Sequence, residues 1–115
     1  MKKLLFLLAI IILHSCSSFK SGLTIPANET FILGESNSKN YSAELVNTSD
    51  YEVKIRGEKK QNEEYTQGFG LAPKGKVTVY VSSDEIIKFI NNNNLPVKVN
   101  VKMSKEVYGM RYIKN

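Results

Sequence analysis

Val97-Lys98-Val99-Asn100-Val101-Lys102-Met103 alternates apolar and polar residues over its whole length. A period of two sets Val97, Val99, Val101 and Met103 on one face of a β-strand and Lys98, Asn100 and Lys102 on the other. The same rhythm recurs along the chain. Tyr41, Ala43 and Leu45 alternate with polar neighbours, as do Val53 and Ile55 with Lys54 and Arg56. Val77, Val79 and Val81 alternate with Thr78 and Tyr80, and Tyr108, Met110 and Tyr112 close the series. Phe31-Ile32-Leu33 is a short apolar run ended by Gly34. β-branched and aromatic residues dominate these runs, as strands favour.

The punctuation between the runs is turn chemistry. Asn47-Thr48-Ser49-Asp50 and Asn91 to Asn94 with Leu95-Pro96 separate alternating segments. Ala72-Pro73-Lys74-Gly75 suits a type I turn, with Pro at the second position. Asp84 to Ile90 reads two ways, as a short capped helix or as a strand. Setting Leu45-Val46-Asn47 beside Phe89-Ile90-Asn91, an offset of 44, also aligns Val53 with Val97 and Ile55 with Val99. Both halves then read strand, Asn-rich turn, strand, a repeated hairpin plan. Under it Ile86 to Ile90 is a central strand, apolar on both faces. About eight short strands and no strong helix predict an all-β fold, an antiparallel two-layer β-sandwich. It is immunoglobulin-like in architecture only, because the Cys…Trp…Cys signature is missing.

The N-terminus has a different character. Lys2 and Lys3 precede the unbroken apolar run Leu4 to Leu13. Ten apolar residues are half of the ~20 that a spanning helix needs, so the run reads as a signal-peptide helix. Leu13-His14-Ser15-Cys16 follows it directly and resembles the lipobox of bacterial lipoproteins, with His14 at the permissive position. The resemblance implies a diacylglycerol on the Cys16 thiol, cleavage before Cys16 and a fatty acyl group on the new amine. It also implies, through Ser17 after the cysteine, outer-membrane localisation on the periplasmic face or the cell surface. The organisation expected is a signal over residues 1–15, the acylated cysteine and a short tether over 16–22, and one sandwich domain over 23–115. Two or more acyl chains hold a protein stably to a bilayer, where one does not.

Losing Lys2 and Lys3 with the signal lowers the formal charge from +5 to +3. That balance is too mild for a nucleic-acid protein, and the strands lack the interleaved aromatics that an RNA-binding sheet needs. The single histidine, His14, leaves with the signal, and Cys16 is the single cysteine. The mature chain therefore has no Ser-His-Asp triad, Cys-His pair or ordinary zinc site, and no cofactor beyond its covalent lipid is expected. Glu63-Glu64 and Asp84-Glu85 are paired carboxylates, but neighbours on a strand point to opposite faces, so neither pair forms a catalytic dyad. Gly68-Phe69-Gly70-Leu71 has no following helix or Lys-Ser/Thr, so it marks a bulge or a close approach, not a phosphate loop.

Three features remain as binding candidates. Gly57 to Glu64 is the most polar stretch and holds Lys59, Lys60, Glu63 and Glu64. Lys98 and Lys102 join Lys54 and Arg56 in a basic stripe if the two repeated hairpins are neighbours. Tyr80 lies opposite Val77, Val79 and Val81 and offers an aromatic platform. The mature chain is similar to the small β-rich lipoproteins of Gram-negative envelopes. The leading expectation is a membrane-anchored, non-enzymatic module that binds an envelope protein or glycan, as an accessory or structural component. The alternatives are an inhibitor or immunity-type protein that blocks an envelope hydrolase with the 57–64 loop, and a glycan-binding module. Because Cys16 precedes every strand pattern, Cys16→Ala should release a folded protein from the membrane. Fractionation with circular dichroism checks this, and tight membrane association of the folded variant would contradict it.

Overall fold

The computed structural model describes residues 19–115. The signal segment and Cys16 lie outside the described residues. Nine strands follow in order: β1 (Phe19–Ile25), β2 (Glu29–Leu33), β3 (Tyr41–Asn47), β4 (Val53–Lys59), β5 (Tyr65–Leu71), β6 (Lys76–Val81), β7 (Glu85–Ile90), β8 (Val97–Met103) and β9 (Met110–Lys114). They form two antiparallel sheets, sheet A in the order β1-β8-β3-β6 and sheet B in the order β5-β4-β7-β2-β9. The antiparallel sandwich expected from the alternation is present.

The strand order is that of a jelly roll. β4 pairs with β5, β3 with β6, β2 with β7 and β1 with β8. These four pairs are one long nested hairpin folded over on itself, so that alternate pairs fall in opposite sheets. Closure comes from β3 against β8 and β4 against β7. Immunoglobulin sheets are ordered differently, with sequential strands such as A and B side by side. Here β4 and β5 are the one sequentially adjacent pair that shares a ladder among the described residues.

This topology corrects the hairpin plan. The offset of 44 is real, but β3 lies in sheet A and β4 in sheet B, while β7 lies in sheet B and β8 in sheet A. Each repeat is an arch from one sheet to the other. Alternation specifies which face a residue takes, not which strand it pairs with. The stripe therefore does not form: Lys54 and Arg56 sit on the outer face of sheet B, Lys98 and Lys102 on the outer face of sheet A. Two smaller expectations also change. Phe19 to Gly22, read as tether, is the start of β1 and pairs with Met103 to Asn100. Lys74 has φ 62° at the third position of its turn, which is type II geometry and not type I.

The core sits between the sheets. Ile25, Leu45, Val53, Ile55, Val97, Val99, Ile87 and Phe89 are essentially inaccessible to solvent. Val79 is buried and Thr78 exposed, as the alternation requires. β7 is the middle strand of sheet B, as the repeat indicated. Phe89 meets Phe31 edge-on at 5.7 Å, and Tyr112 of the edge strand β9 covers Phe31 at 5.0 Å.

Two asparagines in this core are fully buried, Asn47 and Asn91, and they are 44 residues apart. Asn47 ends β3 and Asn91 directly follows β7, each at the entry to an arch, and each side chain bonds in the same pattern. Asn47 Nδ2 donates to Tyr51 O at 2.7 Å and to Leu71 O at 3.1 Å. Asn91 Nδ2 donates to Leu95 O at 2.9 Å, to Ile25 O at 3.1 Å and to Pro26 O at 3.0 Å. The Oδ1 atoms accept from the amide two residues on, Ser49 N at 3.0 Å and Asn93 N at 2.9 Å. Each amide thus closes its own arch and ties one sheet to the last carbonyl of a strand in the other. Asn47→Leu would take from the buried Leu71 carbonyl its carboxamide donor and from Ser49 N its acceptor, at about 1–3 kcal/mol for each, while Tyr51 O keeps Ser49 Oγ. We predict that Asn47→Leu and Asn91→Leu each lose about 2–5 kcal/mol in urea titrations, while Asn94→Ala on the exposed side of the second arch stays within about 0.5 kcal/mol.

Candidate functional site

One cross-strand row runs over the whole outer face of sheet B: Gly68 on β5, Arg56 on β4, Lys88 on β7, Ile32 on β2 and Arg111 on β9. Like charges side by side, as Arg56 and Lys88 are, repel. Glu58, two residues along β4, resolves this. Its Oε2 accepts from Arg56 Nε at 2.6 Å, and Lys88 Nζ lies 2.9 Å from Oε1 as a charge contact outside hydrogen-bond geometry. At the other end Glu35 takes Arg111 in a two-pronged pair, Nε to Oε1 at 2.6 Å and Nη2 to Oε2 at 3.0 Å. Tyr65 extends the row on β5. Its ring lies 5.0 Å from the Arg56 guanidinium, and it rests over Gly68, where a Cβ would stand 2.8 Å from the ring. The glycine of the Gly68-Phe69-Gly70 run thus marks a close approach.

Ile32 and Ile86 also face outward on this sheet, yet only 2% and 8% of their surfaces are exposed. They form the floor of a hollow of about 290 Å³ rimmed by Glu35, Glu58, Lys59, Lys60, Glu63, Lys88 and Arg111. Long charged side chains of this kind cover apolar surface with their stems and keep their heads in water.

The polar loop reaches this rim from the tip of the β4–β5 hairpin. Its turn is closed by Lys59 N to Glu64 O and Glu63 N to Lys59 O, both at 2.9 Å. Lys60 is tied down twice, by its amide to Asp84 O at 2.8 Å and by its Nζ to Asn37 O. Lys59, Lys60 and Glu63 are thus gathered at one site. Glu64 is not; it points to solvent beside Asn62. Tyr80 is 76% exposed on the outer face of sheet A, where Lys98 and Lys102 also lie. Neither acidic doublet lies within a strand as expected: Glu63 and Glu64 are both exposed in the loop before β5, and Asp84 is exposed in the turn before β7 while Glu85 is buried at its first position. The Glu85 carboxylate occupies the space over Gly57 and accepts from Thr66 Oγ1, Gln67 Nε2 and Ser82 N, a set that fixes the β6–β7 turn.

The sequence reading missed Glu35, Arg56, Glu58, Lys88 and Arg111 as one group. The signal was Lys88 inside Ile86-Ile87-Lys88-Phe89-Ile90: a charge in the middle of a central strand requires a partner.

Burial would raise the Glu58 carboxyl, but the Lys88 ammonium and the Arg56 guanidinium outweigh it and hold it below the usual carboxylate value. The Arg111 hydrogen bonds hold Glu35 low as well. Both are therefore ionised at neutral pH and carry no proton to donate. The arrangement suits recognition of a polar surface by ion pairs and hydrogen bonds.

A jelly-roll sandwich with a charged row and hollow on one outer face is the class these features define. No family model matches the sequence, and no curated protein matches it. Among solved structures the chain is similar to PirA, at TM-score 0.58 and 12% identity over 74% of this chain and 93% of that one. It is similar to the Yersinia pseudotuberculosis-derived mitogen, at TM-score 0.55 and 15% identity over 82% and 93%. It is also similar to Peruvianin-I, a cysteine peptidase from Thevetia peruviana latex, at TM-score 0.58 and 8% identity over 85% of this chain but 56% of the peptidase. At these identities the likeness is one of fold alone.

The carboxylates set a pH dependence. A carboxyl lowered in the folded state stabilises it above its unfolded value and loses that contribution as pH falls through the folded value. Stability should therefore decline as pH falls below the ordinary 4.5. Glu58→Gln should lower the urea midpoint at pH 7 and converge towards the parent at pH 3; a gap that stays constant across this range would contradict the pairing.

Proposed function

We propose that this chain is a lipid-anchored, non-enzymatic envelope protein that binds a partner protein through the outer face of sheet B. The observation that carries the reading is the charged row over Ile32 and Ile86. Its inner members are fastened in pairs, while Lys59 and Glu63 stand at the rim with charges to offer. A fixed charged rim around an apolar floor suits a protein surface of complementary charge, as interfaces set a polar rim around a desolvated centre. The lipobox-like Leu13-His14-Ser15-Cys16 supports attachment by acyl chains, and Ser17 supports the outer membrane, at its periplasmic face or the cell surface. A role as an accessory or structural subunit follows from an anchored module whose site is built for contact. The inhibitor reading is less well supported, because the 57–64 loop is a tied hairpin tip and not a long projecting segment.

A photo-crosslinking residue at Glu63, introduced into the full chain in native membranes, should capture one defined partner. The same residue at Tyr80 should not capture it. Lys59→Glu combined with Glu63→Lys should abolish that capture from a neighbouring rim position with the melting temperature unchanged. Capture that is equal from both faces, or that is indifferent to the charge reversal, would overturn this reading.

A further inference from the structure

The outer face of sheet A differs from that of sheet B in how its charges are met. Lys20 on β1 stands directly across from Lys102 on β8, and Lys98 faces the same way two outward positions along β8. A like-charged cross-strand pair destabilises a sheet. On sheet B such a pair is neutralised by Glu58; here no acidic residue is placed between the two. Among the described residues Lys20, Lys98 and Lys102 enter no ion pair, while Arg56, Lys88 and Arg111 all do. The one carboxylate on the strands' outer face is Glu44; it stands across from Lys102 in the β3–β8 ladder but makes its ion pair with Lys76, at 3.6 Å, which leaves Lys20 and Lys98 with no acidic cross-strand neighbour. Gly22 lacks a side chain between these rows, leaving a shallow hollow of about 450 Å³ bordered by Lys20, Asn100, Lys102, Val46 and Glu44.

Position adds the second argument. β1 begins at Phe19, three residues after Cys16, and three extended residues span only about 10 Å. A bilayer holding acyl chains on Cys16 is thus within reach of the start of sheet A. Phe19, opposite Met103, is in phase with Leu23 and Ile25 on the inner side, so the lysines and not this ring mark the outer face.

We propose that the outer face of sheet A lies on an anionic bilayer surface, with Lys20, Lys98 and Lys102 against lipid phosphates. The orientation rests on the anchor reading above, and it turns the outer face of sheet B away from the membrane towards a partner. Basic side chains at an anionic leaflet are attracted within a Debye length, and salt weakens the attraction.

The test reconstitutes the full lipidated protein in phosphatidylcholine vesicles with and without phosphatidylglycerol, and measures flotation and the rate of lysine acetylation. Flotation with both vesicle types is expected. Acetylation of Lys20, Lys98 and Lys102 should slow roughly tenfold only on the anionic vesicles and recover at about 0.5 M salt, while Lys54 and Lys114 react alike throughout. Equal rates on both vesicles in a protein that floats would overturn the face and leave the anchor standing. If the protein fails to float with phosphatidylcholine alone, the anchor reading fails. Flotation with anionic vesicles, weakened roughly a hundredfold in Lys20→Gln/Lys98→Gln/Lys102→Gln, then still supports the face, and no flotation overturns it. Slowing by soluble polygalacturonate but not by anionic vesicles would reassign the face to an acidic glycan and overturn the membrane. The triple variant should melt no lower than the parent, because it removes a repulsion.

Discussion

Two buried carboxamides hold this sandwich in register with itself. A jelly roll must carry its chain from one sheet to the other at each arch, and an arch leaves carbonyls facing inward with no ladder to join. Buried carbonyls without partners are costly, so each needs a donor from within. Asn47 and Asn91 supply those donors, reaching Leu71 at the end of β5 and Ile25 at the end of β1. An aspartate has no N–H to give, and a leucine neither gives nor accepts. The amide is the side chain of this size that donates to two carbonyls while accepting from the amide two residues on. The packing of Val53, Ile55, Val97 and Val99 begins just beyond these arches, so the alignment of the core depends on them.

With the sheets fixed, their two outer faces become distinct surfaces. Sheet B satisfies its own charges, with Glu58 between Arg56 and Lys88 and Glu35 on Arg111, and covers two isoleucines with the result. Such a surface is ordered before any partner arrives, which limits the entropy lost on binding. Among the described residues, Lys20, Lys98 and Lys102 of sheet A enter no ion pair, and Lys20 faces Lys102 in a like-charged pair that folding alone does not favour. The inner charges of one face are paired, while the basic charges of the other are mostly not. The proposed roles of partner contact and membrane contact follow from that difference.

Much of this was legible in the sequence. Alternation gave the strands, their buried faces and the all-β class, and the offset of 44 matched Asn47 with Asn91 and made Ile86 to Ile90 a central strand. What it did not give was pairing. Val53 and Val97 have the same pattern whether their strands are neighbours in a hairpin or lie in opposite sheets, so the basic stripe was placed on one face and belongs to two. The charged row was invisible for the same reason: Glu35 and Arg111 are 76 residues apart and meet only through β2 and β9. Lys59, Lys60 and Glu63 were found because they are close in sequence. The start of β1 was missed because Lys20, Ser21 and Gly22 have no apolar alternation; they are held by pairing with β8 at a sheet edge.

The central claim is that Asn47 and Asn91 are structural bolts and not ordinary turn residues. Hydrogen exchange of their side-chain amides, resolved by nuclear magnetic resonance, tests this directly. If the account is right, both carboxamide groups exchange as slowly as the backbone amides in the middle of β3 and β7, opening only when the whole sandwich unfolds. Exchange as fast as that of the exposed Asn92 and Asn94 side chains would show that the arches open on their own and that something else joins the sheets.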